Sequence, residues 1–137
     1  MKTFIVILFA TLCNWAVAQT YVQINGASVH DQPGYNGFNY GAGLEQTVAK
    51  DVSVAAGWYR NSEYRGSTYA YGRYAVYKNN NWDAGIGLGL VTGYQRSSVL
   101  PMAFPELCYR WSCAMFVPKV QQDGANAIGV RFRIPIN

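Results

Sequence analysis

Residues Trp82 to Tyr94 read WDAGIGLGLVTGY, a stretch in which large apolar residues and glycine alternate. In a strand, successive side chains point to opposite faces. Even positions then carry Trp82, Ala84, Ile86, Leu88, Leu90 and Thr92, and odd positions Asp83, Gly85, Gly87, Gly89, Val91 and Gly93. If the apolar face looked into a soluble core, Asp83 and the glycines would face water, which is poor strand material. If it looks into lipid, the glycines line the lumen of a barrel. The last apolar segment decides the same way. Ile128, Val130, Phe132 and Ile134 share one face, and Gly129, Arg131 and Arg133 the other. Each arginine would cost ~2 to 4 kcal/mol on a lipid face near the midplane, so both belong inside, where Glu45 and Asp83 can pair with them. A soluble lipocalin would need an apolar interior throughout.

The rest of the chain repeats this pattern. Segments of about ten residues, rich in Tyr, Val, Ile, Trp and Gly, alternate with turn signals. No stretch shows sustained apolar recurrence at three and four residues. Eight strands are predicted: Tyr21 to Val29, Asn39 to Val48, Val52 to Tyr59, Ser67 to Lys78, Trp82 to Tyr94, Met102 to Arg110, Ser112 to Val117 and Ala125 to Ile134. The connections AKD, NNN and RW are short, whereas HDQPGYNGF, RNSEYRG, QRSSVL and PKVQQDG are longer and more polar. The expected fold is an all-β, eight-stranded antiparallel transmembrane barrel with short periplasmic turns and longer outer loops.

Its compartment is read from the start, MKTFIVILFATLCNWAVAQ. Lys2, the apolar run Phe4 to Leu12 and the small residues before Gln19 have the form of a cleaved signal peptide. The run is too short to span a bilayer, and Leu12 before Cys13 disfavours a lipoprotein anchor. Residues 1–18 are therefore assigned to the signal peptide and 19–137 to one barrel domain. The protein is expected in the outer membrane of a Gram-negative cell, as a monomer. The 137 residues carry a formal charge of +4, which at that address suggests contact with lipopolysaccharide rather than nucleic acid. No metal cluster, phosphate loop or nucleotide fingerprint is present, so no cofactor is expected.

Several stretches taken in order resemble the lipid A palmitoyltransferases (the PagP family), outer-membrane barrels that move a palmitoyl chain from a phospholipid to lipid A. These are a first strand ending in His30, GYNGFNYGAGLEQ, GWYRNS, GIGLGLVTGY, LPMAFPELCY, FVP and VRFRI. The resemblance implies phospholipid and lipid A as partners and assigns His30 and Ser62 to catalysis. Asn61 stands where that family has an aspartate, and the family's amphipathic helix before the first strand has no counterpart here.

The chemistry can also be read from the residues. Acyl transfer needs a hydroxyl, a base of near-neutral pKa and donors for a developing oxyanion. His30, the one histidine, is the natural base, with Ser62 as the hydroxyl and Asn61 as a hydrogen-bonding orienter. The bland alternatives are a solvated rim histidine and an ordinary loop serine. Arg60, Tyr64 and Arg65 can hold phosphate or simply face anionic lipid. Gly85, Gly87 and Gly89 either leave room for an acyl chain or serve packing and twist. Pro105 and Pro118 lack ladder donors. They end their strands or, as the resemblance implies, open a lateral gate for lipid. Cys108 and Cys113 are opposed if Arg110 and Trp111 form a two-residue turn, giving a disulfide in an oxidising compartment or else two reduced thiols.

Two functions follow. One is a lipid A acyltransferase. The other is a non-catalytic small barrel that binds lipid or serves surface integrity or attachment. A deacylase barrel is a weaker third, because no late strand carries a His and Ser together.

Overall fold

The computed structural model describes residues 19–119 and 124–136. The segment assigned to the signal peptide lies outside them. Eight strands form a closed up-and-down antiparallel barrel: β1 (Thr20–His30), β2 (Phe38–Ala49), β3 (Val52–Arg60), β4 (Gly66–Lys78), β5 (Trp82–Thr92), β6 (Val99–Tyr109), β7 (Ser112–Val117) and β8 (Ala127–Pro135). No helix occurs among the described residues. The connections at 50–51, 79–81 and 110–111 are tight and mark the turn end. Those at 31–37 (L1), 61–65 (L2), 93–98 (L3) and 118–126 (L4) mark the loop end.

Two boundaries depart from the expected ones for identifiable reasons. β5 stops at Thr92 because Gly93 adopts a φ of 86°, in the left-handed region. β6 begins at Val99, so Pro101 lies inside it. Pro101 and Pro105 pair in register with Leu90 and Ile86 of β5. They are four residues apart, so their missing N–H groups fall on the same edge of the strand. That edge is the one facing β7, where the ladder to β5 loses nothing.

The barrel is apolar outside and charged inside. Ile86, Leu88 and Leu90 are exposed, as are Ile128, Val130 and Phe132, while Asp83, Arg131 and Arg133 are buried. Outward-facing aromatics gather toward both ends: Phe38, Tyr40 and Trp58 in the loop half, and Tyr74, Tyr77, Trp82, Tyr109 and Trp111 in the turn half. Such paired girdles flank the lipid-facing band of membrane barrels. Inside, Arg133 forks onto Glu45 (2.9 and 2.8 Å) and reaches Asp83 (2.8 Å). Arg73 links Asp83 to Glu106, each at 2.8 Å, and Arg131 binds Glu106 at 2.6 Å. The carboxylate partner of Arg131 is thus Glu106 rather than Glu45 or Asp83. This chain of alternating charges packs the interior of the turn half, with each buried charge paired as burial requires.

The bare face of β5 has an answer in the register. A Cβ on Gly85 would lie 2.6 Å from Arg73 Cζ, one on Gly87 would strike the Phe104 ring, and one on Gly89 would lie 2.5 Å from Tyr71 Cα. The glycines give their space to large interior side chains of the adjoining strands, the cross-strand packing that rescues glycine in sheets. Gly41 and Gly57 do the same for Tyr59 and Tyr69. Gly89→Ala is therefore expected to lose the heat-modifiable folded band on gels. Gly72→Ala, where a Cβ meets only Ser53 O at 3.9 Å, should keep it. Equal recovery of both variants would show that the close packing around Gly89 is not required.

Candidate functional site

The wall is not evenly sealed. β6 and β7 share pairs only from Glu106↔Met115 to Tyr109↔Ser112. Continuing that register would set Pro105 against Phe116 and Ala103 against Pro118, and neither pair forms. The loop half of β6 thus pairs with β5 alone, leaving an unpaired seam. At its base Cys108 and Cys113 are opposed and joined by a disulfide, with their Cα atoms 4.0 Å apart. Pro105 sits inside β6 where the shared ladder stops, and Pro118 follows the last residue of β7.

Behind this seam lies a cavity of about 350 Å³. Its walls are Val91, Leu100, Met102, Met115 and Val117, with Tyr59 and Tyr94 above them. Its floor is Asn25, Tyr69, Tyr71, Phe104 and Arg131. Pro101, Ala103 and Pro118 also reach the lining, which sets the cavity against the seam. Glu45, Asp83, Glu106 and Arg133 do not, because the ion-pair chain lies below the floor. Gly85, Gly87 and Gly89 do not line it either. The expected glycine-lined acyl pocket is thereby corrected: the cavity lies nearer the loops, and the glycines' space holds Arg73, Phe104 and Tyr71.

The mouth is built by the loops. His30, the last residue of β1, stacks on Tyr35 of L1 with ring centroids 5.0 Å apart, and both line the cavity. Ser62 lines it from L2, its side chain beside the Tyr94 hydroxyl. Tyr94 in turn hydrogen-bonds Tyr59 at 2.9 Å, and burial pushes its phenol pKa up. Asn36 fixes L2 against L1, since its backbone N–H donates to Ser62 O at 2.8 Å and its Nδ2 to Asn61 O at 3.2 Å. Glu63 accepts from Gln95 N of L3 at 2.9 Å. Asp31 accepts two bonds from Asn126 of L4, at 3.0 and 2.7 Å. The rim is tied together before any guest arrives, the preorganisation that lowers the cost of binding.

Asn61 plays a different part from the one expected. It is fully buried and does not line the cavity. Its Nδ2 donates to Ser67 Oγ (2.9 Å) and Gly93 O (3.0 Å), and its Oδ1 accepts from the N–H groups of Glu63 (2.9 Å) and Arg65 (3.0 Å). Both donors and the acceptor are spent on L2, on Ser67 at the start of β4 and on Gly93 of L3, so Asn61 orders the loop that carries Ser62 and does not orient His30. Asn61→Asp would set a carboxylate oxygen against the Gly93 carbonyl. It is expected to destabilise the barrel by about 1 to 3 kcal/mol, seen as a lower urea midpoint. An unchanged midpoint with increased acyl transfer would restore Asn61 to the catalytic group.

His30 and Ser62 meet on one cavity lining, although no hydrogen bond joins them among the described residues. Sequence reasoning missed Tyr59, Tyr94, Asn36 and Asn25. Glu106, Cys108 and Cys113 also cluster within 4.8 Å, but the sulfurs are in a disulfide and the carboxylate is held by Arg73 and Arg131, which leaves no metal ligand set.

Neither a protein-family model nor a curated protein sequence matches the chain. Among solved structures it is similar to a de novo designed barrel, TMB2.3, determined by solution NMR. The TM-score is 0.64 at 10% identity, over 87% of this chain and 96% of that one. The fold is that of a transmembrane barrel. At this identity the likeness extends to architecture alone.

Proposed function

We propose that the protein resides in the outer membrane of a Gram-negative cell, loops outward, and takes the acyl chain of a phospholipid into its loop-half cavity for transfer to lipid A. The observation that carries this reading is a cavity whose mouth holds His30 and Ser62 and whose side meets an unpaired seam in the wall. A lipid chain reaching that seam meets apolar side chains rather than a continuous hydrogen-bonded ladder. The lipid A hydroxyl approaches from the outer leaflet, over the mouth.

In the transfer, Ser62 Oγ attacks the phospholipid ester carbonyl while His30 takes its proton. The C–O bond to the lysophospholipid breaks, and that proton leaves with the departing oxygen. A lipid A hydroxyl then gives its proton to His30 and takes the acyl group, and Ser62 recovers the proton. The Tyr59 and Tyr94 hydroxyls share one hydrogen bond (2.9 Å), which leaves one O–H of the pair to donate to polar atoms at the mouth.

One observation favours a second reading, a lipid-binding barrel without catalysis. Among the described residues no carboxylate is hydrogen-bonded to His30: Asp31 accepts from Asn126 and Asn61 is spent on its own surroundings. Mass spectrometry of lipid A from cells with and without the gene separates the two. An added acyl mass that depends on the gene supports transfer. Identical lipid A profiles overturn transfer and leave the binding reading.

A further inference from the structure

Among the described residues, only two buried side-chain atoms, Asn25 Nδ2 and Arg131 Nη2, lack a hydrogen-bond partner. They are not scattered. Asn25 of β1 and Arg131 of β8 are direct cross-strand partners, and both line the floor of the loop-half cavity. Arg131 Nη2 lies 2.5 Å from Glu106 Oε2 as an ion pair, without a hydrogen bond of its own. The hydrogen bond to Glu106 runs through Nε instead.

We infer that this pair forms a polar subsite on the floor of the cavity, built to receive a neutral oxygen acceptor of the guest. The occupant would be an acyl chain carrying a hydroxyl or carbonyl near its far end. The inference rests on the acyl-binding reading above and specifies its substrate.

A buried donor without an acceptor is destabilising, and native interiors rarely keep one. Two adjacent donors on the floor of the cavity are satisfied by an oxygen seated between them. A plain terminal methyl there would leave Asn25 Nδ2 and the second N–H of Arg131 Nη2 unmet. Charge favours a neutral oxygen over a carboxylate. Arg131 already faces Glu106, and the interior chain alternates Arg131, Glu106, Arg73, Asp83, Arg133 and Glu45. A further anion would unbalance it.

The test compares methyl esters of saturated fatty acids with the same esters hydroxylated at the terminal carbon, over a series of chain lengths. Esters are used so that no free carboxylate competes for Arg131. Affinity is measured on the refolded full-length mature barrel in lipid nanodiscs, by displacement of a fluorescent acyl probe. At the best-fitting length the hydroxylated ester should bind about tenfold more tightly than the plain one, as expected for one well-made buried hydrogen bond. Asn25→Leu should abolish or reverse that preference while keeping the heat-modifiable band. Asn25→Ala serves if the leucine variant does not fold.

If plain and hydroxylated esters bind equally at every length, the inference is overturned and water occupies the subsite. A hydroxyl preference that survives both substitutions also overturns it. If neither ester binds, the acyl-cavity reading itself falls and takes the subsite with it.

Discussion

Arg133→Met is expected to abolish recovery of the folded barrel, or to lower its stability by about 3 to 5 kcal/mol. Arg133 is buried and is the partner of two carboxylates, Glu45 and Asp83. Removing it leaves Glu45 with only Gln23 (2.9 Å) and Ser53 (2.6 Å) as donors, and Asp83 with Arg73 alone. The buried interior of the turn half then carries uncompensated negative charge. Methionine keeps much of the side-chain volume, so the loss would report charge rather than packing. Arg110→Met is the control: that residue lies exposed in a turn, over the Tyr109 ring at 5.6 Å, and its loss should change stability by about 0.5 kcal/mol or less. The comparison is made by urea titration of refolded protein, following the heat-modifiable band. If both variants match the parent, the ion-pair chain does not hold the turn half together.

The faces of this barrel were legible because a period of two survives without knowing any partner. Asp83 opposite Trp82, and Arg131 opposite Val130, define inside and outside within a single strand. The same period was present in YAYGR, where Tyr69, Tyr71 and Arg73 share a face, and in FPELC, where Phe104, Glu106 and Cys108 do. Arg73 and Glu106 could therefore have been placed inside from the sequence, although their pairing could not. What a glycine makes room for depends on the neighbouring strand and its register. Tyr71 lies opposite Gly89 and Phe104 opposite Gly87, so a bare face reads the same whether a guest or a neighbour fills it.

The site was less legible than the fold. Loop geometry is made by contacts distant in sequence, such as Asp31 with Asn126 across β1 and β8, or Asn36 with Ser62. A motif stretch such as RNS does not reveal whether its asparagine faces a cavity or its own backbone. Asn61 does the latter. The polar floor was hidden for a similar reason, since Asn25 and Arg131 become neighbours only when β1 closes onto β8.

His30→Asn and Ser62→Ala are each expected to lower acyl transfer to lipid A by about a hundredfold or more, the scale on which positioned acid–base groups contribute. Neither side chain is part of the interior ion-pair chain, and the bond that fixes L2 through Ser62 uses its backbone carbonyl. Heat-modifiable migration and ester binding should therefore stay at parental levels in both variants. The double variant should lose little more than either single one, because groups acting in one proton transfer are not additive. Two merely structural residues at the rim would behave differently: their effects would multiply and would appear in ester affinity as well. The readout is thus the transfer rate of the two single variants and the double, set beside their affinity for the same ester. Parental rates in all three would remove His30 and Ser62 from catalysis. The cavity and its seam would then be explained by lipid binding alone.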